Sequence, residues 1–430
     1  NGKLTIPEHI TEINEGVFER CGFTGDLDIP NSVTKIGSCA FQGTYNNTGK
    51  LILRNGLTEI GYEAFYDSHF QGDLTIPNSV TTLGKSAFEK GSFSGTLTLS
   101  NSLKTLNTWT FHNCSGFYGD LVIPASVTTI GLGVFDGSYY GNITGEKGGL
   151  TFADGSQLTE IGEAAFQNCQ NLTGELKLPD TVETIGSLAF KGNGFTGELK
   201  LPANLKELGE SAFENCSMLT GRITFPSNMS TIHSTVFCRT RITEVVIPSS
   251  IGSVWVDAFY YCNSLKKVYL PAEIPTIYNR SFRGCSNVKF YYPGYKAEWD
   301  KQTQTDKLND SILNSDKDAV MPLDVGTWRP ICYYVDVTFN AGSGMFQDGA
   351  QQHIVKGDEN ELYRTENLTE AMVTAIGTPK QSGYHFAGWS LSPNGSVADV
   401  LPVDENGYMT IADNGKNDFG GVEDGMTLYA

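Results

Sequence analysis

The chain has 430 residues, 48 Asp and Glu against 30 Lys and Arg, and a net charge of −18. That length predicts two or three domains, and the charge argues against nucleic acid or an anionic membrane surface as a partner. No apolar run reaches the roughly 18 residues a membrane-spanning helix needs.

From its first residues the chain repeats itself. Phe18, Phe41, Phe65, Phe88, Phe111, Phe135, Phe166, Phe190, Phe213, Phe237, Phe259 and Phe282 recur every 22 to 24 residues, except for a spacing of 31 between Phe135 and Phe166. A fixed period of this size is the mark of a stacked solenoid. An apolar residue stands 14 positions before almost every one of these phenylalanines, among them Leu27, Leu51, Leu176, Leu199 and Val268. The rigid part of each repeat therefore runs from this residue to its Phe, and the length variation lies in the loop that follows.

The stretch Leu176–Phe190, LKLPDTVETIGSLAF, displays the unit. Leu176 and Leu178 share one face of a strand, and Pro179 ends it because proline cannot donate to a ladder. Val182 and Ile185 make a second apolar step. Gly186 allows a tight turn, and Ala189 and Phe190 place a small and a large group in one interior. No fifteen-residue unit buries these groups alone, so each needs its neighbours. The predicted fold is a leucine-rich-repeat-type solenoid of about 12 coils, with a parallel β-sheet on one face and short helical turns on the other. At about 4.8 Å per strand it would be on the order of 55 Å long.

The repeat reads L-x-I/L-P-x-x-V-x-x-I-G-x-x-A-F-x-x-C, and over roughly residues 1–293 it resembles the BspA-like, or Treponema-type, bacterial leucine-rich repeats. The resemblance implies a bacterial cell-surface or secreted protein, often one involved in attachment, and implies no catalytic residues. The chain opens inside a coil, at LTIP, without a signal-peptide pattern or a cap, which predicts a trimmed mature fragment.

Six of the nine cysteines, Cys21, Cys114, Cys169, Cys216, Cys262 and Cys285, stand three residues after an anchoring Phe. One repeated position means one column of small buried thiols. Cys262 and Cys285 belong to adjacent coils, but stacking alone does not ensure disulfide geometry. No CxxC pair suggests zinc.

An insertion, SYYGNITGEKGG within residues 136–149, interrupts the period, and insertions in a solenoid map to loops, often on a binding face. Tyr139 and Tyr140 are expected there as exposed aromatics, an idle loop being the alternative. On the sheet, the residues between the apolar pair of each strand should face outward. Lys177 and Lys200 sit together in that column and Tyr269 adds an aromatic. This face is the first candidate binding surface, against ordinary β-propensity on an exposed strand. The residue just before each strand is often acidic, as at Asp26, Asp73, Asp120 and Glu175, but bases and neutral residues interrupt the column, which suits charge management better than a metal ladder.

The array is expected over 1–294 and a cap or linker over 295–331, where Trp299 could cover the open end of the last coil. Residues 332–430 read as a separate small module. VDVTFNAGSGMF, GYHFAGWS and MTLYA read as strands, and ENLTEAMVTAIG as a short helix ending at Gly377. VTFNAGSG, Gly383-Tyr384, Phe386, Gly388-Trp389 and the closing Leu428-Tyr429-Ala430 resemble the Listeria–Bacteroides repeat of internalin type. That resemblance implies a small β-grasp-like spacer or contact module, here cut short at its end. From residue 295 onward there are 21 acids against 9 bases, leaving 27 against 21 in the array, so the acidity is concentrated in the C-terminal part.

Signatures of catalysis and cofactor binding are missing. The six histidines show no HExxH or HxH spacing, and there is no GxSxG elbow or phosphate-binding loop. Gly192, Gly194 and Gly197 spell GxGxxG, but they follow a turn and precede a strand, the reverse of the dinucleotide context. Asp404, Asn406, Asp413, Asn417 and Asp418 lack EF-hand spacing. No catalytic residue, cofactor or metal is therefore expected. The expected function is binding of an extracellular protein or glycan through the sheet face and the 136–149 insertion. The alternative is a passive stalk that displays another domain.

Overall fold

A computed structural model describes residues 2–139, 148–278, 280–285, 288–295, 298–299, 301, 331–334, 337–341, 346, 350–355, 388–389, 401–402 and 426–429. The chain divides into two compact units. The first comprises Asn1–Val268, Pro275–Val288 and Leu308–Trp328, and the second Tyr269–Ile274, Lys289–Lys307 and Arg329–Ala430.

The first unit is a parallel β-solenoid of about twelve turns. Each coil after the first contributes one strand where the apolar pair was read, such as Leu27–Ile29, Leu51–Leu53 and Leu121–Ile123. Each also contributes a second, two-residue strand eight residues further on, such as Lys35–Ile36, Glu59–Ile60 and Thr184–Ile185. Every pairing within these two sheets is parallel, and equivalent residues mostly face one another, Leu27 with Leu51 and Ile36 with Ile60, whereas Glu175 and Glu198 lie opposite Thr196 and Thr220. The register survives the long coil, since Leu121 pairs with Leu150 and Thr129 with Glu160.

The anchoring phenylalanines stack in one unbroken ladder along the interior. Successive ring centroids lie 5.0–6.1 Å apart with planes within 2–13° of parallel, from Phe18–Phe41 to Phe259–Phe282. A second row meets it edge-on, with Phe70 against Phe65 and Phe195 against Phe190 at 6.0 Å. Edge-to-face and offset contacts of this kind add to the burial of the rings.

The turn that carries each Phe is tightly prescribed. The residues two before and two after the anchoring Phe have positive φ in every coil, for example Leu188 at +61° and Gly192 at +74° about Phe190. Two left-handed residues so close together stop the turn from extending into a helix. The repeated glycine four before the Phe has a different reason. A side-chain carbon at Gly186 would lie 2.5 Å from the Glu163 nitrogen, and one at Gly209 2.3 Å from the Ser187 nitrogen. Backbone-to-backbone closeness, and not dihedral freedom, excludes larger residues there. The second sheet falls into three runs, ending at Thr82–Leu83, at Glu207–Leu208 and at Thr276–Ile277. Its two internal breaks fall where a glycine of this column gives way to Asn107 and to His233. At the first, the Asn107 amide donates to the Leu83 carbonyl at 2.6 Å.

The cysteine column is a hydrogen-bonding column. The thiols of Cys114, Cys169, Cys216 and Cys262 donate to the carbonyls of Phe88, Phe135, Phe190 and Phe237 at 3.0 Å, and Cys285 to Phe259 at 3.2 Å. Each bond joins a coil to the one before. Ser138 makes the same bond to Phe111, and Asn193 makes it to Phe166 at 2.9 Å. These thiols are free and buried, whereas Cys21, in the first coil, is only half-buried.

In the second unit, Lys289–Tyr295 pairs in parallel with Ile331–Tyr334. Val337–Asn340 lies between antiparallel Gln352–Val355 and parallel Met426–Tyr429. Gly388–Trp389 pairs with Leu401–Pro402. Trp299 is buried edge-on against Tyr292, with centroids 5.4 Å apart. The helix expected to end at Gly377 and the acidic turns from Asp404 to Asp418 lie outside the described residues.

Candidate binding surface

The first sheet presents the outward column read from the sequence. Lys177 and Lys200 are register partners on neighbouring strands, and both are exposed. Two ammonium groups on adjacent strands repel, and Glu175 offsets this by standing 3.5 Å from the Lys177 ammonium. Lys200 has no ion pair among the described residues. It borders an open cleft of about 460 Å³ with Glu198, Arg222 and Thr224 at its polar edge and Leu201, Phe225 and Pro226 on its apolar side. Arg222 lies 4.0 Å from Glu244, which Lys267 also approaches at 3.8 Å. The cleft thus combines a few fixed charges with an apolar wall, the composition of small recognition sites.

The other candidates are not brought to this place. Tyr139 is fully buried, which corrects the expectation of an exposed ring. The Phe93–Phe117 stack continues into it, with Tyr139 5.8 Å from Phe117, so the ring completes an interior row. Burial pushes its phenol far above the usual range, and its hydroxyl finds no partner among the described residues. Tyr140 lies outside the described residues. Tyr269 belongs to the second unit, half-buried and stacked on Tyr291 at 5.0 Å.

The acidic residues before the strands are hydrogen-bond acceptors. Asp26, Asp73 and Asp120 accept the backbone N–H of Lys50, Thr96 and Gly149, one coil on, at 2.7–2.8 Å. Outward-facing Asp28 is held by the Arg54 guanidinium through two bonds of 2.7 and 2.6 Å, and this fork keeps its carboxyl below the usual range. On the turn side, His112 stands between Glu89 at 3.2 Å and Asp136 at 3.7 Å, a satisfied imidazole. Among the described residues no group of His, Cys, Asp and Glu is placed to hold a metal ion, and no helix is long and apolar enough to cross a membrane.

Coil-to-coil parallel strands, an anchoring ladder and a repeating consensus define a leucine-rich-repeat solenoid. The chain belongs to the family described as the BspA type leucine rich repeat region, whose model matches six copies over residues 11–142 and 150–266. Such repeats are typically non-catalytic. A leucine-rich repeat protein from Bacteroides ovatus ATCC 8483 has a similar structure, with 22% identity and a TM-score of 0.53 over 71% of this chain and 81% of that one. A leucine rich cell surface protein from Faecalibacterium prausnitzii A2-165 aligns at 19% identity, TM-score 0.35, over 69% of this chain and 88% of that one. The pneumococcal vaccine antigen PcpA aligns at 19% identity, TM-score 0.39, over 70% and 76%. No curated protein matches the chain.

Proposed function

We propose that this is a non-catalytic bacterial cell-surface or secreted protein whose array binds an extracellular protein or glycan through its first sheet. The carrying observation is the cleft beside Lys200 on the outward column, with Lys177 on the neighbouring strand. Solenoids commonly use extended faces of this kind for partners, and such a face can supply the roughly 800 Å² per partner of a standard interface. The 136–149 insertion remains part of the proposal through its residues beyond Tyr139. The segment over 332–430 is proposed as a spacer or contact module of the Listeria–Bacteroides repeat type.

The test is the full chain against immobilised extracellular-matrix proteins and a glycan panel, beside Lys177→Glu and Lys200→Glu. Loss of binding to a ligand by about tenfold or more, with an unchanged thermal midpoint, supports the sheet face. Failure of the unmodified chain to bind anything supports a passive stalk instead.

A further inference from the structure

One junction of the array is bonded more thinly than its neighbours. Between the coil of Phe213 and the coil of Phe237 both sheets divide. The second sheet ends a run at Glu207–Leu208 and starts the next at Thr231–Ile232. The first sheet is paired across this junction only through Gly197 and Glu198, opposite Leu219 and Thr220, and Arg222–Thr224 opens a new run. At every other junction among the described residues, at least one of the two sheets is continuous.

Two further ties are missing at the same place. From Cys114 onward the residue three after the Phe bonds its coil to the one before, as at Cys216, Cys262 and Cys285. Thr240 instead donates to the Phe237 carbonyl of its own coil at 2.8 Å, a local bond that threonine readily makes. On the second sheet, Gly209 donates its N–H to Ile185 at 2.8 Å and Trp255 to Ile232 at 2.9 Å. Among the described residues His233 makes no such bond to Leu208. The earlier break of the second sheet, at Asn107, keeps both ties. There the Asn107 amide donates to the Leu83 carbonyl at 2.6 Å and the Cys114 thiol to Phe88 at 3.0 Å.

What still crosses the thin junction lies mainly along the anchoring turn. The N–H groups of Ser211, Phe213 and Asn215 donate to Ser234, Val236 and Cys238 at 2.9–3.0 Å. The Ser211 and Thr235 hydroxyls meet at 2.6 Å, and Phe213 stacks on Phe237 at 5.5 Å. Away from the turn, the Asn228 amide donates to the Ala203 carbonyl at 3.2 Å from an exposed position. The open cleft of about 460 Å³ lies in the gap itself, with Lys200 and Leu201 of one coil facing Thr224 and Phe225 of the next.

We propose that the array is jointed at this junction, the coils before and after it swinging about the anchoring turn so that the cleft on the first sheet widens and narrows. A solenoid is held by its nearest-neighbour interfaces, and the interface with the fewest bonds opens most readily. Intact bonds on one side and divided sheets on the other are the arrangement of a hinge, in which two packed blocks turn about a few residues. The joint is a property of the chain alone and needs no partner.

The experiment measures distance distributions in the full chain by pulsed electron paramagnetic resonance, with spin labels on non-natural side chains so that the native cysteines stay unlabelled. A pair at Thr151 and Val246 spans four coil junctions, this one among them, and a control pair at Thr75 and Lys177 spans four without it. All four positions belong to the outward column of the first sheet, so an array without a joint gives both pairs the same width. The Thr151–Val246 distribution should be about twofold wider or more. It should narrow to the control in the double variant His233→Asn, Thr240→Ser, which copies the ties made by Asn107 and Ser138. The proposal is overturned if the two distributions of the parent chain have equal width, or if the folded double variant keeps the wider one.

Discussion

The Cys216 thiol donates to the Phe190 carbonyl at 3.0 Å, tying one coil to the anchoring residue of the coil before. That carbonyl also accepts from the Asn193 amide of its own coil at 3.0 Å, and the residue three after the Phe acts as a rivet to the preceding coil at Cys114, Ser138, Cys169, Asn193, Cys216, Cys262 and Cys285. Serine, which fills the equivalent place at 138, should substitute well. Cys216→Ser is expected to change stability little, and Cys216→Ala to cost about 1 kcal/mol through the lost donor. Chemical denaturation of both variants distinguishes them, and equal midpoints would contradict the role.

Labelling of native thiols should be selective. Burial pushes the Cys114 and Cys216 thiols up to about 12, and those of Cys169 and Cys262 well above the usual range. Reactivity follows the thiolate and its exposure. Half-buried Cys21 and Cys39 should therefore react first with an aromatic disulfide reagent, and the buried thiols only on unfolding. Rapid labelling of Cys216 in native protein would refute a packed column.

Phe190→Ala should cost about 3–5 kcal/mol, as large truncations in a packed core do. The ring is fully buried and stacks on Phe166 at 5.4 Å and on Phe213 at 5.1 Å, so the loss opens the ladder on both sides. A shift in unfolding free energy below about 1 kcal/mol would show that the ladder is not the core.

Gly186→Ala tests whether closeness between coils explains the glycine column. The alanine is compatible with the local φ, so only the 2.5 Å approach to the Glu163 nitrogen opposes it. Overpacking against backbone should cost roughly 1–3 kcal/mol. A neutral result in thermal and denaturant unfolding would leave the column unexplained.

Acid should loosen the array through its aspartates. Asp73 accepts the Thr96 N–H and hydroxyl at 2.7 and 2.9 Å, and these bonds hold its carboxyl below the usual range. A carboxyl lowered in the folded state stabilises fully above its unfolded pKa, about 3.9, and that contribution fades as pH falls through the folded value. The thermal midpoint of Asp73→Asn should therefore fall less between about pH 5 and pH 2 than that of the parent chain. Parallel curves would rule out this linkage.

Much of this architecture was legible because it repeats. The spacing of twelve phenylalanines, 22 to 24 residues in all but one interval, announced the coils, and the 14-residue offset announced the first strands. The second sheet escaped because its strands are two residues long, as at Thr184–Ile185, and its Ile looked like one more core residue. Tyr139 was misplaced because its burial depends on the row set by Phe93 and Phe117 in earlier coils, which no local pattern reveals. Lys177 and Lys200 were legible as neighbours, since register in a solenoid follows from period.

The long coil carries a lesson for how such a protein changes. Leu121 meets Leu150 in register, and Phe135 stacks on Phe166 at 5.2 Å, although their coil is longer than its neighbours. Closing a longer loop costs only about 0.6 kcal/mol for each doubling of its length. The corner after the anchoring Phe is therefore a splice point, where peptides of many lengths can be grafted while the core is left as it was. An array built this way can diversify what it displays one coil at a time.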